Sequence, residues 1–296
     1  MSPGRMHPDE IATDADLVRR LLAAQFPEWA DLPVVRIESA GTDNALYRIG
    51  DELIARLPRI GWAVGAGEKD PWLPRLAPHL PLEIPVPVAQ GEPGEGYPHE
   101  WLIHRWVEGE IATPDRLDDL SSAAREFAAF ITALHAIDPT DAPAGFRGGP
   151  LPKRDEAVRE AIDALRGELD EGAATAVWNE ALGASPWDRP SVWVHGDLYD
   201  GNLLARDGRL CAVIDWGGAG VGDPACDLIV AWSLFSGESR DVFRADLDVD
   251  DATWARGRGW ALSVALMAIP YYRETNPVIV VNSWHRIAEL VAERAG

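Results

Sequence analysis

The run Val194-His195-Gly196-Asp197-Leu198-Tyr199-Asp200-Gly201-Asn202 sets an Asp and an Asn five positions apart. Asp215 follows, at the end of the apolar run Leu210, Ala212, Val213 and Ile214, just before Gly217-Gly218. These types at this spacing suit phosphoryl transfer, a reaction that asks mainly for positioning and charge neutralisation. One carboxylate must face the attacking hydroxyl, and oxygen ligands must hold magnesium on the phosphates. Asp197 suits the first task, and Asn202 and Asp215 suit the second. A loop of this length, relaxed by Gly201, lets both side chains converge. The plainer reading is a hairpin with acidic turns, because Asp and Gly favour turns.

Such residues need a frame. Leu17, Leu21 and Leu22 recur at helical spacing over 14–26, ending near Pro27. Strand-like pieces follow at 34–37, at the end of 41–49 and at 53–58. Within the last of these, Ile54 and Arg56 share a face. Pro81, Pro85 and Pro87 exclude helix and lead into a strand over 100–107. Ala124, Phe127, Ala128, Ile131 and Leu134 mark an amphipathic helix over 121–137. His135 ends it, and a lone His there is more often a core hydrogen-bonder than a catalyst. The segment 142–152, rich in Gly and Pro, predicts a loop. Helices are expected at 154–169, 173–182, 228–235, 254–267 and 278–291, with Tyr271-Tyr272 and Asn276-Pro277 breaking the chain between the last two.

The three motifs HGDLYDGN, IDWG (Ile214 to Gly217) and GDPACDL (Gly222 to Leu228) stand in order. Together they resemble the aminoglycoside phosphotransferase family, the branch of the kinase-like fold that also holds choline-kinase-like small-molecule kinases. The resemblance implies an α+β, bilobal protein-kinase-like fold. A nucleotide-binding N-lobe, 1–107, would be a small antiparallel sheet with a helix. A mainly helical C-lobe, 108–296, would carry the chemistry. It implies transfer of the γ-phosphate of ATP or GTP to a hydroxyl of a small molecule, first of all an aminoglycoside-like antibiotic, with Mg2+. Asp197 would be the base, and Asn202 and Asp215 the metal ligands. Thr42 and Asn44 would belong to the loop over the phosphates, and Arg105 and Val107 to a hinge whose backbone reads the adenine edge. Where kinases pair a strand Lys with a helix Glu, this chain has Arg56 and Glu68. Arg is a planar, permanently charged donor rather than an equivalent of Lys, yet it can hold two phosphate oxygens. Lys69 is the alternative donor. The helices after residue 154 would wall the acceptor site, which makes Glu156, Glu160 and Asp163 candidates for holding a cation; a solvated helix face is the simpler reading.

Composition narrows the partners. The net charge of -21 argues against nucleic acid and anionic membranes, which call for basic patches. It is compatible with a cationic acceptor, and equally with a solvated acidic surface. Cys211 and Cys226 fit neither a zinc pattern nor a disulfide framework and read as packed free thiols. The first residues lack a signal-peptide core, and the uncharged run 259–272 is short of the ~20 residues of a membrane span. A cytoplasmic protein is expected. Two rivals stand beside the main reading. One is a metabolic kinase of choline, an amino alcohol or a sugar. The other is a nucleotide-binding regulatory module without turnover, suggested by Arg56 and opposed by the intact Asp197, Asn202 and Asp215.

Overall fold

The computed structural model describes residues 10–38, 43–61 and 72–295. They form two compact units. The first takes the described residues up to Pro78 together with Glu83–Glu108, and the second takes His79–Leu82 and the described residues from Gly109 onward.

In the first unit, Asp14 caps α1 (Ala15–Gln25) by accepting the Leu17 N–H at 2.7 Å. Leu17, Val18, Leu21 and Leu22 form the buried face of α1. Each such side chain, fully buried, contributes ~1.5–3 kcal/mol. They pack on an antiparallel sheet of β1 (Val34–Ile37), β2 (Asn44–Ile49), β3 (Leu53–Pro58), β4 (Pro87–Gly91) and β5 (Trp101–Arg105), in the order β1-β2-β3-β5-β4. A single helical turn, α2 (Leu73–Leu76), precedes β4. Alternation along the strands sends Ala45, Tyr47, Ile49, Leu53, Ala55 and Leu57 into the core with α1. The other face carries Asn44, Leu46, Arg48, Ile54 and Arg56, all half-buried. Arg56 sits on it opposite Leu46 on one side and Leu102 on the other.

The second unit is mainly helical. Its elements are β6 (Glu110–Ile111), α3 (Leu120–His135), α4 (Asp155–Ala164), α5 (Glu171–Gly183), β7 (Val192–Val194), β8 (Leu203–Arg206), β9 (Arg209–Val213), β10 (Gly220–Gly222), α6 (Gly237–Leu247), α7 (Asp251–Tyr272) and α8 (Pro277–Ala295). α7 packs against α4, α5, α8 and the 3-10 segment Pro224–Trp232, while α3 packs against α6. Two small antiparallel sheets, β10-β7 and β6-β8-β9, support the loops that carry the motifs. No helix among the described residues is long and apolar enough to cross a membrane.

Three elements differ from the sequence expectation. The helix expected at 228–235 is the 3-10 segment Pro224–Trp232, started by Pro224 and the Asp223 cap. Every residue in it is buried, so packing on all sides overrides the usual preference for an α-helix. α7 runs through Pro270 to Tyr272, beyond the expected end at 267. Pro270 lies in the last turn, where its ring removes one hydrogen bond without interrupting a following stretch. The helix expected over 154–169 is shorter: α4 closes at Ala164, before Gly167 turns the chain at φ +81°.

Candidate active site

β7 delivers the HGD run. Gly196 follows with φ +79°, a left-handed conformation that glycine adopts without strain. The loop backbone is strapped by one side chain from far along the chain. Asp227 Oδ2 accepts the His195 N–H at 3.1 Å and its Oδ1 accepts the Gly196 N–H at 2.8 Å. His135 Nε2 lies 3.1 Å from Asp227 Oδ2. Asp227 is fully buried, and these donors are what make a buried carboxylate tolerable. His135 is thus a hydrogen-bonder within the core, as its place on the α3 face suggested.

His195 is fully buried and edge-on to Trp216, with ring centroids 4.7 Å apart. Its Nε2 lies 3.0 Å from the Ile214 carbonyl, which can only accept, so Nε2 carries the proton. Its Nδ1 accepts the Asp197 N–H at 3.2 Å. Burial holds the imidazole below its ordinary range, against the pull of the Asp227 and Asp197 carboxylates. A neutral His195 therefore ties the Asp197 backbone to the residue before Asp215.

The Asp197 carboxylate is partly exposed and held from two sides. Arg147 Nη1 donates to its Oδ1 at 2.6 Å and to the Gly196 carbonyl at 2.8 Å. Asn202 Nδ2 donates to the Asp197 carbonyl at 2.9 Å and lies 3.4 Å from Oδ2. With the amide nitrogen so engaged, Asn202 Oδ1 is the atom left to accept. Gly201 allows this turn through close approach: a Cβ there would meet Tyr199 Cε2 at 2.5 Å. The Asn202 carbonyl accepts the Ile214 N–H at 2.9 Å, which fixes the two motif loops against each other. Asp215, just past β9, takes a left-handed conformation, φ +64° and ψ +63°, and precedes the 3-10 turn Trp216–Gly218. A non-glycine residue at such angles costs of order 1–3 kcal/mol and persists where the surroundings impose it.

A family model described as "Phosphotransferase enzyme family" matches residues 34–260. The chain belongs to this phosphotransferase family. A similar solved structure is the GDP and kanamycin complex of APH(2")-IIia, with TM-score 0.72 and 20% identity, covering 93% of this chain and 98% of that one. Another is the macrolide 2'-phosphotransferase MphH from Brachybacterium faecium, with TM-score 0.59 and 22% identity, covering 94% and 97%. Among curated proteins, "Uncharacterized protein YcbJ" of Bacillus subtilis (strain 168) is 24% identical over 163 residues, 53% of this chain. The match spans 51% of that relative, so the chain aligns with about half of its length. The fold is the protein-kinase-like one of the aminoglycoside phosphotransferases.

Within the phosphotransferase family motif, GDPACDL now has a physical account. Asp223 caps the 3-10 segment through the Ala225 N–H at 3.0 Å. Its carboxylate also takes Arg256 of α7 in a two-pronged pair, at 2.7 Å and 3.1 Å, with both side chains buried. Asp227 straps the loop.

Of the residues expected at the site, Asp197 and Asn202 are in contact, and Asp215 is tied to them through Ile214. In the other unit, Asn44 and Arg56 share the half-buried sheet face. The Arg105 N–H is engaged by the Val86 carbonyl at 3.2 Å and the Trp106 N–H by Glu52 at 2.7 Å. Arg105 closes β5, and Val107 follows it, buried. Thr42, Glu68 and Lys69 lie outside the described residues. Glu156, Glu160 and Asp163 are exposed, in keeping with a solvated helix face. Sequence reasoning missed Arg147 and Asp227 as working residues. Asp227 stood inside a quoted motif, a usable signal; Arg147 stood in a loop marked only by its Gly and Pro.

Proposed function

We propose that the chain moves the γ-phosphate of ATP or GTP to a hydroxyl of a small molecule. The observation that carries this reading is the meeting of the Asp197 carboxylate and the Asn202 amide on one loop that Asp227 holds by its backbone. Asp197 orients the acceptor hydroxyl and takes its proton as the new O–P bond forms. The bond from the γ-phosphorus to the bridging oxygen breaks, and the nucleoside diphosphate leaves with that electron pair. Arg147 fixes one carboxylate oxygen, so that the other is presented in a defined direction.

Asn202 Oδ1 and the Asp215 carboxylate would hold magnesium, and their hard oxygen donors suit it. Among the described residues no group of three or more His, Cys, Asp or Glu could hold a metal ion. Magnesium, when bound with the nucleotide, supplies charge neutralisation on the phosphates. Arg56, with Asn44 and Thr42, would meet phosphate oxygens, and Glu68 would pair with Arg56. The Arg105 carbonyl and the Val107 N–H would read the adenine edge. The names of similar structures, with kanamycin and a macrolide among them, make antibiotic-like alcohols the first acceptors to try. A cytoplasmic location follows the same reading.

The test is magnesium-dependent nucleotide turnover by the purified chain, followed by an acceptor panel scored by a mass gain of one phosphoryl group. A phosphorylated alcohol is expected. Nucleotide binding with neither hydrolysis nor transfer would turn the reading into that of a regulatory module.

A further inference from the structure

Charges on and around the Asp197 loop have partners. Asp197 itself is bridged by Arg147 at 2.6 Å. Asp200, half-buried beside Tyr199, faces the guanidinium of Arg286. Asp215 is the proposed magnesium ligand. Among the described residues, Arg154 has no carboxylate partner; it stands at the end of the 3-10 turn Leu151–Arg154 that closes the loop carrying Arg147.

Arg154 is half-buried and rests on α7 through uncharged partners. Its Nε donates to Ser263 Oγ at 2.5 Å, its Nη2 to Met267 Sδ at 2.9 Å, and its guanidinium lies 5.1 Å from the Trp260 ring centroid. No carboxylate among the described residues pairs with it. The charge that acts on it is Arg147, a like charge, which adds to burial in lowering its pKa. The chain has 48 Asp and Glu against 27 Lys and Arg, so the missing partner does not reflect a shortage of acids. Two more donors of this cluster, Arg147 Nε and the buried Trp260 Nε1, have no acceptor. A partly desolvated guanidinium with no carboxylate partner favours an anion.

We propose that Arg154, together with Arg147, forms an anion-reading subsite for the acceptor, so that the phosphorylated hydroxyl belongs to an alcohol that also carries a carboxylate or phosphate group. This rests on the phosphotransferase reading and narrows its acceptor class. Guanidinium suits both anions, because its planar fork matches their paired oxygens. An acceptor bearing several ammonium groups, kanamycin among them, would set cation against cation here.

The experiment uses the full chain with magnesium and nucleotide. The panel is glycerate, glycerol phosphate, glycerol, 3-aminopropane-1,2-diol and kanamycin, scored by product mass. Transfer is expected to favour the two anionic alcohols, and the better of them separates carboxylate from phosphate. Arg154→Gln should raise the KM for these about tenfold to a hundredfold, the range for a hydrogen bond to a charged group. The nucleotide KM and acceptor-free hydrolysis should stay unchanged, and Arg154→Lys should keep the anionic preference. A second readout needs no turnover: glycerate or glycerol phosphate should raise the Tm of the wild type more than glycerol does, and Arg154→Gln should erase that difference. Preference for the ammonium-bearing acceptors, an unchanged KM in Arg154→Gln, or equal Tm shifts with all of the alcohols would each overturn the inference. Absence of magnesium-dependent hydrolysis in the wild type would strike the phosphotransferase reading, while the Tm comparison would still decide the subsite.

Discussion

The Asp227 carboxylate accepts the Gly196 N–H at 2.8 Å across 31 residues of sequence. It thereby fixes the peptide that precedes the candidate base without touching the base itself. Asp227→Asn keeps the shape but turns an amide N–H toward backbone donors, leaving at least one of them unmet. Loss of such a buried partner costs ~1–3 kcal/mol. Tm should fall accordingly, and kcat should drop by up to about a hundredfold, as small misplacements can. The nucleotide KM should hold. A nucleotide KM that rises in step with the fall in kcat would mean that Asp227 supports the unit as a whole rather than this loop.

Asp197 is held at Oδ1 by Arg147, and its backbone is held by His195 and Asn202. Asp197→Asn should therefore leave the loop in place and remove base assistance, lowering turnover on the acceptor by ~10²–10⁴-fold. Nucleotide affinity should be nearly unchanged. Wild-type turnover in this variant would rule out Asp197 as the base.

Asp215 is the second oxygen donor beside Asn202 in the proposed magnesium site. Asp215→Ala should weaken nucleotide binding in calorimetry when magnesium is present and leave the metal-free affinity as it was. Magnesium-independent affinity in the wild type would remove both residues from the metal role.

His195 gives the fold a pH dependence with a defined sign. Its pKa is lowered in the folded chain by burial, while the unfolded chain takes up a proton near ~6.5. Below that value the unfolded state binds more protons, so stability is full above about pH 6.5 and declines as the pH falls. The Tm of the wild type should drop on acidification from pH 7 toward 5.5, and His195→Gln, though less stable at pH 7, should show a shallower slope. Parallel slopes would assign the acid sensitivity to other groups.

Much of the first unit was legible in the sequence. Alternation along 53–58 placed Ile54 and Arg56 on one face, because successive strand side chains point to opposite sides. Leu17, Leu21 and Leu22 at helical spacing marked α1. In the second unit, the spacing of Asp197 and Asn202 already implied that their side chains converge, since a short turn governs both. These are local relations, fixed by backbone geometry over a few residues.

What only the tertiary structure decided lies at long range. Arg147 reaches Asp197 across 50 residues, and His135 meets Asp227 across 92. No periodicity in the sequence reports such a pairing, because it depends on how α3, the loop after it and the segment Pro224–Trp232 pack together. Packing also chose a 3-10 path where the pattern suggested an α-helix, and among the described residues it left Arg154 without a carboxylate. The sequence by itself determined which groups could carry the chemistry; burial and packing decided which of those charges are matched.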